Sequence, residues 1–280
     1  MLGKLLKHEW KAHWKVPTLL LGVLMIIAVV AGLTFLMPIW DSEWIGLPLS
    51  AMMLVMLFYM AMIAASFGIV LYFAVRYYKS MFTDEGYLTH TLPVTARELL
   101  FGKIITMTAW NLIAGIVVLL SIAVFFGIVI LALASKDSSF AFDFFDFLSE
   151  MKEVFASPYM EGFGGFCASM IAMALTGSVG GTMIIIGSVN LGQMVRKHRI
   201  LGAIGAYFAI YSVIQIIVFA VMMPFIFKMA FQMEHTDMSE MSVFGVYTPI
   251  YVIMSVVYLI AAVGLYILSE YLIRRQLELE

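Results

Sequence analysis

The sequence predicts an all-α polytopic membrane protein, and three observations carry that prediction. Hydrophobic residues make up 63% of the 280 and charged residues only 12%, where a soluble domain averages about 45–50% apolar and about 25% charged. Six stretches, residues 17–40, 49–75, 104–134, 163–190, 200–227 and 246–272, hold no charge except Glu270. Each is long enough for a bilayer core about 30 Å thick, which needs roughly 20 apolar residues per helix. Runs of two-residue alternation, the signature of a membrane barrel, are absent. Helices, which satisfy their backbone within one segment, are therefore the spanning structure.

Residues 1–16 contain LGKLLKHEWKAHWK, which places Leu2, Leu6, Trp10 and Trp14 on one four-residue stripe with Leu5 beside it. Lys4, Lys7, Lys11 and Lys15 fall on another stripe. The pattern predicts a helix lying flat in the inner headgroup layer, ammonium groups toward anionic lipid. A plain basic flank anchoring the first span is the alternative. That span follows four lysines and lacks a small-residue cleavage site with a polar region behind it, so it is expected to be retained rather than removed as a signal peptide. Cys167, the single cysteine, lies inside the fourth span, which excludes an intrachain disulfide and a cysteine-based metal site.

Alternate connecting segments, beginning with the N-terminus, hold 13 of the 16 Lys and Arg residues, whereas the other segments hold 11 of the 18 acidic ones. The positive-inside rule places the basic set, and with it both termini, in the cytoplasm. The total of −2 thus conceals a polarised molecule, +6 inside and −8 outside.

The inner segment 76–103 is the longest cytoplasmic connection. Arg76 and Lys79 mark where the second span leaves lipid. Thr83 can cap a short helix whose first turn holds Asp84 and Glu85, favourable at the positive end of a helix dipole. Pro93 forbids much continuation beyond Leu92. Thr95 followed by Glu98 fits a capping box before the third span. Between these points Phe82, Tyr87, Leu88 and Leu92 are interleaved with Thr83, Asp84, Glu85, Gly86, Thr89 and His90. Aromatics and charges on one short element suit docking into a partner's groove. A loop folded back on its own bundle fits the same composition.

The run RYYKSMFTDEGYLTHTLPVTARELLFGK, followed by Trp110 in a helix, resembles the first cytoplasmic loop of ABC transporter permeases of the type-2 exporter class, especially bacterial ones that pair with a separate ATPase. The six-span layout, inside termini and basic amphipathic N-terminal helix are similar too. In that family the loop carries a coupling helix that inserts into the nucleotide-binding subunit, which here corresponds to roughly Phe82 to Leu92. The resemblance implies a second permease subunit, and ATP and Mg bound by the partner ATPase rather than by this chain. It covers the whole chain in layout and some 30 residues in motif. Well-known members place their largest extracellular insertion between the last two spans, whereas here 135–162 lies between spans three and four, so details of an outer gate do not carry over.

No GxxxxGK[ST] phosphate-binding sequence occurs, so any nucleotide must sit on another polypeptide. His8, His13, His90, His198 and His235 are scattered, without HExxH spacing or a nearby carboxylate pair, and no metal site is expected. No nucleophile has an evident base, so the chain is not expected to be an enzyme. Ion-coupled transport needs ionisable groups at mid-membrane, and the spans have none there. Asn111, Asn190 and Gln215 are the largest polar side chains in the spans, to be read as cargo contacts or as interhelical glue. The fourth span, GFGGFCASM then GSVGGTMIIIGSVNLGQ, presents Gly177 and Gly181 as a GxxxG pair with Gly180 and Gly187 beside it, which predicts tight packing within the bundle or against a second subunit, with a hinge as the alternative.

The outer segment 135–162 contains FAFDFFDFLSEMKEVF, where Phe144, Phe147, Leu148, Met151 and Phe155 share a helical face apart from Asp143, Asp146, Glu150 and Glu153. An amphipathic helix resting on the outer leaflet or capping the bundle is expected. Together these expectations describe a permease subunit of an ABC exporter in a bacterial cytoplasmic membrane, moving a hydrophobic or amphiphilic cargo such as a peptide, lipid or drug. Its partners would be an ATPase, a second permease subunit and the bilayer, and not nucleic acid. A non-transporting scaffold or sensor that recruits a cytoplasmic partner is a reading from another class, as is an energy-independent or ion-coupled carrier.

Overall fold

A computed structural model describes residues 2–37, 44–83, 95–136, 146, 149–150, 160–195, 197–235 and 243–275. Among them are seven helices and no strand: α1 (Leu2–His13), α2 (Lys15–Leu33), α3 (Gly46–Phe82), α4 (Ala96–Lys136), α5 (Phe163–Gly192), α6 (Arg199–His235) and α7 (Val243–Arg275). All but α1 are long and apolar enough to cross a bilayer. The chain is a multi-pass, all-α membrane protein.

The helix ends follow local chemistry more closely than the apolar runs do. α2 begins at Lys15 and takes Pro17 in its first turn, where the missing N–H has no carbonyl to bond. It stops at Leu33, short of residue 40. Thr34 Oγ1 donates to the carbonyl of Ala31 over 2.7 Å, and the next amides bond three residues back, the tightened geometry of a helix end. α3 runs past residue 75 to Phe82, since no Gly or Pro intervenes and Tyr77, Met81 and Phe82 are buried. α4 starts at the expected capping box: the Thr95 amide donates to Glu98 Oε2 over 3.1 Å, and the Glu98 amide to Thr95 Oγ1 over 3.3 Å. α5 is entered through Gly162, whose φ of +86° is a left-handed conformation that costs a residue with a Cβ about 1–2 kcal/mol.

The chain divides into two compact units. One comprises Trp10–Phe73 and Ala109–Lys152. Its core joins Leu24, Ala28 and Ala31 of α2 to Phe58 and Ala65 of α3 and Phe125 of α4. Small residues on α2 permit close approach: a Cβ at Gly32 would lie 3.1 Å from Ile128 Cβ. Phe58 stacks on Phe125 with ring centroids 5.0 Å apart. In the same unit His13 is buried against Phe73, and Trp10 stacks on Trp110 at 5.0 Å.

The other unit comprises Met1–Glu9, Ala74–Thr108 and Glu153–Glu280. Here α5 packs against both α7 and α6, most extensively against α7. Its second half is enclosed, with every residue from Thr182 to Asn190 buried. Two glycines seven residues apart set the α5–α7 contact. A Cβ at Gly180 would come within 2.7 Å of Tyr258 Cδ1, and one at Gly187 within 3.0 Å of Leu265 Cδ2. By contrast, Gly181 has open space where a Cβ would go, and Gly177 meets only the tip of Met173 on its own helix. The GxxxG spacing was visible in sequence, but the glycines pressed by another helix are its neighbours. The reason is helical phase: Gly180 and Gly187 point toward α7, and a step of one residue turns a side chain by about 100°.

Candidate functional site

The helix ends on either side of 84–94 are the place where polar chemistry concentrates in the second unit. Residues 84–94 themselves, and so Asp84, Glu85, Gly86, Tyr87, Leu88 and Leu92, lie outside the described residues, as do 137–145, 147–148 and 151–159 of the outer amphipathic segment. Phe82 and Thr83 are described. Phe82 is buried at the end of α3, its ring edge-on to Tyr77 at 6.3 Å. Thr83 donates its hydroxyl proton to the carbonyl of Lys79 over 2.6 Å, satisfying one acceptor of the last turn of α3.

Three polar connections tie the two flanking helices to each other and to the rest of this unit. The first joins α3, α4 and α1. Lys103 Nζ, buried at 5% side-chain exposure, donates to Ser80 Oγ over 2.7 Å and to Glu9 Oε1 over 3.1 Å. An ammonium placed there needs a nearby carboxylate, because desolvation of either charge alone is costly. Next to it, a Cβ at Gly102 would fall 2.8 Å from Leu5 Cδ2, so α1 also rests closely on α4 through an apolar contact.

The second connection joins α3 to α5. Tyr77 donates its hydroxyl proton to Asn190 Oδ1 over 2.9 Å, with both side chains buried. The third joins α4 to α7. Arg97 Nε donates to Glu270 Oε1 over 2.6 Å, and Arg274, one turn further along α7, reaches the same oxygen at 2.9 Å. Both arginines are more than half exposed while Glu270 is 14% exposed, so the carboxylate is the anchored member. Phe101 and Tyr266 reinforce the contact with ring centroids 5.2 Å apart. Deeper along α4, Thr108 and Thr182 approach within 3.3 Å and Ser178 donates to the Thr108 carbonyl at 3.1 Å.

The three large polar residues of the spans have different surroundings. Asn190 is the acceptor just described, and its Nδ2 has no hydrogen-bond partner among the described residues. Asn111 is half-buried in α4. Gln215 is exposed on α6. No cluster of three or more His, Cys, Asp or Glu side chains able to hold a metal occurs among the described residues.

Lys103, Glu9, Ser80, Tyr77 and Arg97 were not singled out by pattern. The available signal was positional. Lys103 and Arg97 open an apolar run of some thirty residues and Glu270 is the lone charge inside a span, places where a charge needs a partner. No family model matches the chain, and no curated protein or solved structure matches it either.

Proposed function

We propose that this chain is the membrane-spanning permease subunit of an ATP-driven ABC exporter, with residues 82–92 as the knob that a separate cytoplasmic ATPase grips. The observation that carries the reading is the anchoring of both helices that border 84–94. Ser80 and Lys103 join them directly, and further bonds run to α1, α5 and α7. A displacement imposed between Thr83 and Thr95 would reach three other elements through short polar contacts rather than dissipate in a slack linker. Such a frame suits mechanical input, because a packed interior responds to load by moving as a body.

In this reading ATP and Mg stay on the partner, whose nucleotide-driven closure moves the knob and shifts the helices between inward-open and outward-open arrangements. A second permease subunit completes the path for a hydrophobic or amphiphilic cargo. Both termini lie on the cytoplasmic side of a bacterial plasma membrane. α1 lies in the inner headgroup layer: Lys4, Lys7 and Lys11 are exposed along it and Lys15 just beyond its end, while Leu5 and Glu9 hold one edge of the helix to α4. That division of faces supports a helix that is anchored to protein and also wets anionic lipid.

Purification of the full chain from its native membrane tests the reading. An ATPase is expected to co-purify and to be lost when Asp84, Glu85 and Tyr87 are changed to Ala. Retention of the ATPase by that triple variant would move the coupling site elsewhere. Absence of any ATPase would favour the scaffold or the energy-independent carrier.

A further inference from the structure

Gln215 of α6 is a large polar side chain in the wrong solvent. Gln215 stands midway between Arg199 and Phe231, the limits of the candidate span, and it is exposed. Its carboxamide makes no hydrogen bond among the described residues. Turning by the helical repeat, the residues above and below it on the same stripe are Ile204, Phe208, Tyr211 and Phe219, exposed by 49%, 63%, 42% and 60%, and the exposed run ends at Met222, which is buried. The face that α6 turns inward is a different one, marked by the buried Ile214. Hydrocarbon tails can cover the apolar members of the exposed stripe at no cost. They cannot bond to a carboxamide, which has two donors and an acceptor.

We infer that a second copy of this chain covers the Gln215 face of α6, with the two Gln215 carboxamides paired across a two-fold axis. A carboxamide is self-complementary, donating through nitrogen and accepting through oxygen, and a two-fold interface brings a residue against its own counterpart. The four exposed neighbours on the stripe are uncharged, so two copies meet without repulsion. From Ile204 to Phe219, with Gln215 among them, the stripe repeats every three to four residues, which is what two helices crossing at a small angle interdigitate. Interhelical hydrogen bonds of this kind are modest in strength, so they select a register and leave the packing of Phe208 and Phe219 to supply contact area. The inference requires only that α6 spans the bilayer. It names the surface for the second subunit in the transport reading and does not depend on an ATPase.

Cysteine cross-linking of the full chain in its membrane tests it. In a Cys167→Ser background, Gln215→Cys is expected to form a disulfide-linked homodimer under mild oxidation, whereas Ile217→Cys, exposed by 46% on the other side of α6, is not. Separately, Gln215→Leu in liposomes is expected to weaken self-association about threefold to tenfold, and Gln215→Asn to retain most of it. Equal cross-linking at both positions would overturn the inference. So would Gln215→Cys joining a different protein, or Gln215→Leu associating as tightly as the original. Loss of the ATPase in pull-downs would count against transport and leave this interface standing.

Discussion

The Tyr77 hydroxyl donates to Asn190 Oδ1 over 2.9 Å, both side chains are buried, and so α3 and α5 are joined by a polar bond seven residues before α3 gives way to 84–94. Removing only the hydroxyl, with Tyr77→Phe, leaves the Asn190 carboxamide with neither atom bonded by a side chain. The expected cost is about 1–3 kcal/mol of stability, the range for stranding a buried polar group. Heat denaturation in detergent measures it. Pairing Tyr77→Phe with Asn190→Leu should recover much of the loss, because no stranded amide remains, and the double-mutant cycle would show strong coupling.

Lys103 is the most costly charge to disturb. Lys103→Met removes a buried ammonium facing Glu9 and Ser80, and breaking a buried pair from one side costs about 3–5 kcal/mol. Because Glu9 lies on α1, the loss should be local before it is global. Limited trypsinolysis at Lys4, Lys7 and Lys11 is expected to accelerate in the variant, and Lys103→Met combined with Glu9→Met to slow it again.

Arg97 and Glu270 form the opposite kind of pair. Arg97 is 60% exposed, so solvent screens most of the attraction and Arg97→Ala is expected to lower the melting temperature only slightly. Glu270→Ala should cost more than Arg97→Ala, since Arg97 and Arg274 both converge on its Oε1. Equal melting temperatures for the two variants would contradict that ordering.

The glycines of α5 divide sharply by phase. Gly192→Ala would set a Cβ 2.5 Å from the backbone nitrogen of Ala203, which cannot step aside, and overpacking of this kind costs about 1–3 kcal/mol or more. Gly181→Ala meets nothing within 4 Å and should be neutral or stabilising by up to about 1 kcal/mol through helix propensity. Comparing the two melting temperatures checks the assignment of packed and open faces.

Much of this architecture was legible in the sequence because lipid imposes a simple rule: a segment without charges and long enough to cross must be a helix. The six spans and the Thr95–Glu98 box follow from it and from local capping. Helix ends were less legible. α3 extends seven residues past the apolar run because amphipathic residues such as Tyr77 and Lys79 continue a helix as well as apolar ones do. Composition cannot fix rotational phase inside a uniformly apolar helix, which is why Gly180 and Gly187, and not Gly177 and Gly181, meet α7. The frame around Lys103 was hidden for another reason. Its partners Glu9, Ser80 and Lys103 are far apart in sequence, and only the packing of α1, α3 and α4 brings them together.

In the proposed exporter, 82–92 is the point where a second protein takes hold. A photo-reactive amino acid placed at Tyr87, activated in intact cells, tests it most directly. A covalent adduct with a nucleotide-binding protein of the cytoplasm is expected. An adduct confined to this chain itself, or formed with a reagent that cannot enter the cell, would contradict it.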